Sequence, residues 1–406
     1  GEYQNILYFE AARMMHLASP DEVLFVLVSY LPVPAKIGEM KTKPTQTAAK
    51  TLNSFGIQPD FILCRADRPI DLPRKEKIAL FCNVTKEAII SAPDVDNVYE
   101  VPINFEKDRL SDKILKRFKI KARKTDLQDW RRLASLSKRV SKPVKVGIVG
   151  KYFASGGFVL SDAYISVIES VKYACWQQRR RPGISWINSD EFEKDKRRLK
   201  QLDDLDCLIV PGGFGSRGIE GKIMAIGYAR ENKIPFLGLC YGMQLASIEF
   251  IRNVCNRKDA HTTEINPATK NPVIHIMPEQ ADRLAKKQYG NTMRLGAYPC
   301  RLHKDSISFG LYGKNRISER HRHRYEFNNK YRKLAQSRGL VIAGTSPDSR
   351  LVEILELSRE LHPFFVGVQF HPELKSRPLR PHPLFSGLIG AGVKRQNSKS
   401  KIINNK

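Results

Sequence analysis

No apolar run in this 406-residue chain approaches the ~20 residues a helix needs to cross a bilayer, and the first twenty residues carry no basic stretch followed by an apolar one. Neither a membrane span nor export is expected, and the chain reads as cytoplasmic. Cysteine is sparse: seven residues at positions 64, 82, 175, 207, 240, 255 and 300, with no Cys-x-x-Cys and no metal-ligand spacing. An odd, scattered set argues against a disulfide framework and a zinc site, and no metal ligand is assigned within the chain. There is no G-x-x-x-x-G-K-[ST] phosphate loop and no internal repeat. Acidic residues are few, 42 against 69 lysines and arginines, which leaves a net charge of +27. Such a surplus favours anionic partners without choosing among nucleic acid, lipid and nucleotides.

A composition of 41% hydrophobic and 27% charged residues describes an ordinary globular protein. Its length exceeds what one core usually organises, which predicts two domains. Residues 23–34, VLFVLVSYLPVP, are a continuous β-branched apolar run expected to form a buried parallel strand. Strand-like and helix-like segments alternate after it, so the chain is expected to be α/β. Residues 110–142 turn polar and basic, read as a solvated helix face and linker rather than a nucleic-acid tract. The expected division is a first domain over 1–120, a basic linker over 121–143, a second domain over 144–393 and a basic tail over 394–406. That tail, KRQNSKSKIINNK, has too few apolar groups to offset the entropy of ordering and is expected to be disordered. In the second domain VKVGIVG and LDCLIVPGGFG read as buried strands running into glycine turns, and Ser161 is placed to cap a helix.

Cys240 lies in KIPFLGLCYGMQLASIEF, a strand, a sharp turn and a helix, with Gly238 and Gly242 permitting a tight elbow. A sulfur at a helix N-terminus is favoured as thiolate. The same turn aims the N–H of Tyr241 at an oxyanion, and Gly213 in PGGFG offers a second backbone donor. His371 and Glu373, in QFHPE at the end of an apolar strand, supply an imidazole and a carboxylate to orient it. A lone cysteine is usually core and a lone His-Pro-Glu usually a turn; their joint occurrence with the glycine turn points to thiolate chemistry on an amide.

These three segments, PGGFGSRG, LGLCYGMQ and FHPE, resemble the signatures of class I glutamine amidotransferases. The resemblance implies an α/β domain with a central, mostly parallel sheet, with Cys240 as nucleophile and His371 and Glu373 completing the triad. Further segments, among them GEMKTKPTQ, IQPDFILCRADR, KIALFCNV, DVDNVYEVP, GNTMRLG and ERHRHRYEFNN, resemble the CTP synthase family in sequence and order over nearly the whole chain. By that resemblance residues 1–120 are the C-terminal half of a P-loop-type α/β synthase domain. Its phosphate loop and acidic magnesium ligands would then lie upstream of a truncated chain.

The resemblance also implies site residues. Glutamine would be held by Gly213, Tyr241, Gly242, Met243, Gln244, Glu264 and Arg324, and the chemistry agrees, since an ammonium needs a carboxylate and a carboxylate a guanidinium. UTP or CTP would meet Glu2, Tyr3, Gln4, Lys41, Thr42, Lys43, Pro44, Thr45, Gln46 and Lys77; the run 41–46 places lysines and hydroxyls where Pro44 can start a helix. ATP would meet Asp94 and Val95. Gln4 and Pro93 depart from the family, which commonly has a carboxylate and a lysine there, and FASGGF after VGKY is an insertion expected to lengthen a surface loop. The implied reaction is ATP-dependent amination of UTP to CTP with ammonia from glutamine. Mg2+ would accompany ATP, GTP would be the allosteric activator, CTP the product and feedback inhibitor, and a homotetramer the assembly. Two other classes fit part of the chain: a free-standing glutamine or γ-glutamyl hydrolase, and a noncatalytic filament or scaffold subunit.

Overall fold

The computed structural model describes residues 2–36, 38–122, 126–150, 164–213, 215, 217–277 and 293–404, with residues 2 and 401–404 described by their backbone. Ser161, FASGGF and part of GNTMRLG lie outside the described residues. The chain divides into two compact units, Gly1–Lys138 and Arg139–Lys406.

In the first unit three parallel strands, β1 (Val26–Tyr30), β2 (Phe61–Ala66) and β3 (Ile89–Pro93), pair in the order β1-β2-β3. Helices α1 (Glu2–Ala18), α2 (Lys43–Ser54), α3 (Leu72–Cys82), α4 (Val101–Lys107), α5 (Leu110–Arg117) and α6 (Gln128–Arg139) accompany them. Strand β2, paired on both sides, is the buried one. The apolar run 23–34 is not a buried strand. Only its middle is extended, and Val26, Val28 and Tyr30 are 41%, 59% and 55% exposed. The physical reason is position: β1 is an edge strand with one face covered by α2, where Ser29 Oγ meets Thr45 Oγ1 at 2.8 Å, and the other open. The stretch expected to be a linker is largely helix α6. Leu133 and Ala134 bury one side of it, and Trp130 Nε1 donates to the Tyr99 carbonyl at 2.5 Å.

The second unit carries β4 (Pro143–Gly150), β5 (Arg181–Asn188), β6 (Cys207–Val210), β7 (Phe236–Leu239), β8 (Ala260–Thr262), β9 (Asn271–Ile276), β10 (Arg294–Leu302), β11 (Arg316–His323), β12 (Tyr325–Phe327), β13 (Leu340–Thr345), β14 (Val352–Leu357) and β15 (Phe365–Val368). Its helices are α7 (Ile165–Gln177), α8 (Asp190–Lys194), α9 (Ile219–Glu231), α10 (Tyr241–Asn253), α11 (Ile307–Tyr312), α12 (Arg332–Gln336) and α13 (Pro383–Asn404). Among the described residues, nine strands form one sheet in the order β11-β10-β13-β14-β15-β7-β6-β4-β5. The sheet is mixed rather than mostly parallel: β15-β7-β6-β4-β5 pair parallel, and β11-β10-β13-β14-β15 pair antiparallel. The parallel half is where helical crossovers link successive strands, as parallel pairing requires; the antiparallel half is joined by shorter connections. A small second sheet runs β12-β9-β8.

Apolar cores fill both faces of the large sheet. Ile226, Leu245 and Ile248 of α9 and α10 pack on one face. Val171, Ala174, Leu384 and Leu388 of α7 and α13 pack on the other. Helix α7 has Tyr164 at its N-cap, with no side-chain cap bond. The tail expected to be disordered is instead the last part of α13. Three of its polar side chains reach backbone carbonyls of the sheet and loops. Arg395 donates to the Asn232 carbonyl at 3.2 Å, Gln396 to that of Pro143 at 2.9 Å, and Lys399 to that of Asp203.

Candidate active site

Three neighbouring strands of the parallel half, β6, β7 and β15, end beside one another, and each is followed by one part of the expected site. Carboxyl ends of parallel strands are where open α/β sheets place ligands. Cys240 follows β7 at φ 49° and ψ −97°, a left-handed backbone that a non-glycine residue holds only under constraint. Gly242 explains how the elbow fits: a Cβ there would lie 2.1 Å from the Val210 carbonyl oxygen, so α10 can start against β6 only without a side chain.

His371 follows β15, and its Nδ1 stands 2.7 Å from Glu373 Oε1. Nδ1–H donates to the carboxylate, which leaves Nε2 for the sulfur. Burial works against a charged ring, but hydrogen bonds to Cys240 and Glu373 and their charges outweigh it and push His371 up to about 10. The ring is thereby held as imidazolium beside the sulfur. Gly212, after β6, closes the third side: a Cβ there would lie 2.9 Å from His371 Cε1 and 3.7 Å from Cys240 Cβ. Gly213, Cys240, His371 and Glu373 all line one cleft of about 350 Å³.

The other expected glutamine contacts are distributed differently. Tyr241 and Gly242 begin α10, and the Met243 side chain is wholly buried in the core, so it offers a ligand only backbone. The Gln244 side chain is committed inside the protein, donating to the Tyr325 carbonyl at 2.9 Å and to Gln369 Oε1 at 3.2 Å. Glu264 and Arg324 do not line the cleft. They flank Tyr325, whose phenol is raised by burial and by Glu264 and lowered by Arg324.

In HRHR the two arginines and two histidines separate by strand alternation. His321 and His323 are buried, with His321 Nδ1 and His323 Nε2 at 3.0 Å and His323 Nδ1 3.0 Å from the Tyr325 carbonyl. Burial and the nearby Arg294 keep both neutral, His323 down to about 3. Arg294 itself pairs at 2.6 Å with the fully buried Glu353. Sequence reasoning missed Gly212, Gln369 and Arg322, whose carbonyl lies 3.9 Å from the sulfur and which also lines the cleft. Gln369 was in view within QFHPE, but nothing in a one-dimensional pattern says which way its amide faces.

In the first unit, residues 41–46 follow β1 and open α2 with Thr42 at the N-cap, and Asp94 and Val95 follow β3, so both stretches stand at the carboxyl edge of the parallel sheet. Lys43 and Pro44 are exposed there. Lys41 pairs with Glu39 at 2.6 Å, and Arg74 and Lys77 also act on that carboxylate. Thr45 is wholly buried and turned to Ser29, and Gln46 Nε2 donates to Thr42 Oγ1 at 3.1 Å. Tyr3 and Gln4 stand exposed on the first turn of α1, and the Glu2 side chain lies outside the described residues. Asp94 pairs with Arg65 at 3.1 Å.

A glutamine amidotransferase of class I is the kind of protein this fold and elbow define, and the family model Glutamine amidotransferase class-I matches residues 159–391. The model CTP synthase N-terminus matches residues 1–120. CTP synthase of Clostridium kluyveri is 49% identical over 403 residues, 99% of this chain and 72% of that protein. That of Picosynechococcus sp. is 46% identical over 404 residues, 99% and 71%. The solved glutaminase domain of Trypanosoma brucei CTPS with bound acivicin, 36% identical, superposes with a TM-score of 0.57 over 62% of this chain and 94% of that one. The chain belongs to the CTP synthase family, glutamine-hydrolysing ligases. Matches spanning both units disfavour a free-standing hydrolase or a noncatalytic scaffold.

Proposed function

We propose that Cys240, His371 and Glu373 hydrolyse glutamine and that the ammonia released aminates UTP to CTP. The observation that carries the reading is the 2.7 Å His371–Glu373 pair behind a thiol held at a strained elbow. The thiolate attacks the side-chain amide carbon of glutamine. The N–H groups of Tyr241 and Gly213 receive the oxyanion, and His371 gives its proton to the departing nitrogen as the C–N bond breaks. Water, deprotonated by His371, then cleaves the thioester and returns the proton to the ring. Glu264 and Arg324, opposite charges converging on Tyr325, are assigned to the ammonium and carboxylate of glutamine.

In the first unit we assign phosphate binding to Lys41, Lys43, Lys77 and the N-terminus of α2, with Thr42, Pro44, Thr45 and Gln46 shaping it and Tyr3 and Gln4 completing the pyrimidine nucleotide site. A triphosphate would exchange with Glu39 for Lys41. Asp94 and Val95 are assigned to the ATP base, in keeping with their place at the carboxyl edge of the sheet. ATP as phosphoryl donor, GTP as activator, CTP as inhibitor, a homotetramer and a cytoplasmic site are expectations that membership of the family supports. Among the described residues no group of three acidic, histidine or cysteine side chains is arranged to hold a metal ion.

Cys240→Ala should abolish ammonia release from glutamine while leaving thermal melting unchanged; undiminished release would remove Cys240 from the reaction. Lys41→Ala should weaken UTP affinity, measured by titration calorimetry, and make it less dependent on salt, because one charge is lost from the phosphate contacts. Unchanged affinity would reassign the 41–46 segment.

A further inference from the structure

We propose that Gln369 is a further catalytic residue, donating a hydrogen bond from its side-chain amide to the Cys240 sulfur, and that Gln244 is the positioning residue that sets which way that amide faces. The inference rests on the reading of Cys240 as nucleophile and adds the group that holds its sulfur.

Gln369 lies between β15 and His371, is 1% exposed, and places Nε2 3.6 Å from Cys240 Sγ. Its backbone is pinned by a 2.8 Å bond from its N–H to the Glu353 carbonyl. Oxygen and nitrogen of an amide are distinguished by their partners, and here the partners form a chain with one free end. The Tyr325 carbonyl can only accept, so the Gln244 atom 2.9 Å from it is its NH2. That same NH2 lies 3.2 Å from the Gln369 amide, which must therefore present its oxygen to Gln244. The Gln369 NH2 is left pointing at the sulfur. Tyr325 is anchored in turn, because its carbonyl also meets His323 Nδ1 at 3.0 Å.

A donor so oriented favours the thiolate over the thiol, since only the anion is a strong acceptor. His371 must release the sulfur to protonate the leaving nitrogen, and Gln369 is the donor that stays. The bond also fixes the side-chain torsion of Cys240, so the sulfur remains in line with the substrate carbonyl.

Iodoacetamide measures the thiolate directly. All seven thiols are buried, but Cys240 lines the cleft, whereas burial pushes Cys64 and Cys175 up to about 12 and raises Cys82, Cys207, Cys255 and Cys300, so Cys240 should be the group alkylated near neutral pH. Absence of labelling in Cys240→Ala checks that. In Gln369→Met, similar in volume but without the donor, the midpoint of alkylation rate against pH should rise by about one unit, the worth of one hydrogen bond to an anion. The kcat of glutamine hydrolysis should fall about tenfold, with KM within threefold. Gln244→Met leaves Gln369 in place but unoriented, so its midpoint should shift the same way by less, and it carries the test should Gln369→Met not fold. Midpoints equal to that of the parent protein in the folded variants overturn the proposal. Undiminished hydrolysis by Cys240→Ala would instead sink the nucleophile reading, which separates the two failures.

Discussion

Gly212 and Gly213 are adjacent in sequence and interchangeable in pattern, yet their surroundings differ. A methyl at 212 would strike the His371 ring at 2.9 Å, whereas at 213 the nearest atom is Lys222 Nζ at 3.9 Å. The imidazole cannot yield without lengthening its bond to Glu373 or its approach to the sulfur, and misplacing a catalytic group by about 1 Å costs about 100-fold in rate. Gly212→Ala should therefore lower kcat of glutamine hydrolysis about 100-fold with little change in melting temperature. Gly213→Ala, which meets no comparable clash, should lose much less. Steady-state ammonia release by the two variants side by side decides it; equal losses would show that the steric role of Gly212 is wrongly drawn.

At the scale of elements, the sequence made the site more legible than its surroundings. Cys240, His371, Glu373 and Gly213 follow strand ends whose apolar runs are plain, and strand ends are where parallel sheets converge. What an apolar run does not carry is its neighbours. Residues 23–34 look like a buried strand, and whether β1 is central or at an edge depends on chain far from it. The mixed character of the sheet was hidden likewise, since strand direction is set by connections rather than by the residues within. Alternation along β11 is visible in HRHR, but the pattern alone does not say that the histidine side is the buried one.

The tail failed for a different reason: composition counts apolar groups and overlooks polar ones that bond to backbone carbonyls. Arg395 and Gln396 bond to backbone oxygens of Asn232 and Pro143. Ending the chain after Val393 removes both, together with the Lys399 bond to the Asp203 carbonyl, and at about 1 kcal/mol for each such bond should destabilise the protein by about 3 kcal/mol. Chemical denaturation of the truncated and full chains measures this, and equal midpoints would return the tail to the disordered class.

For the molecule as a whole, the buried histidines define a window of pH. His362 is pinned as a neutral ring: Phe364 N–H donates to its Nδ1 at 3.1 Å, and its Nε2 meets the Ala229 carbonyl at 3.2 Å, so there is no acceptor for a second proton. Burial takes it down to about 4, and burial with Arg294 takes His323 to about 3 and lowers its partner His321. Their folded values lie below the unfolded value near 6.5, so the unfolded chain binds more protons throughout the interval between. Stability is then complete above about pH 6.5 and falls as pH drops toward 4 and 3, by up to about 1.4 kcal/mol per pH unit for each ring. His371 has the opposite sign. Raised to about 10, it contributes fully below about pH 6.5 and loses that contribution as pH rises toward 10. The two effects place maximal stability near neutrality, with the steeper fall on the acid side because more than one ring acts there. Melting temperatures at pH 7.5, 5.5 and 4.5 under constant ionic strength should show that fall. In His362→Gln the slope between pH 6.5 and 4.5 should be shallower by the share of one ring, whatever constant cost the substitution carries. A curve parallel to that of the parent protein over this interval would show that His362 is not held neutral in the folded state.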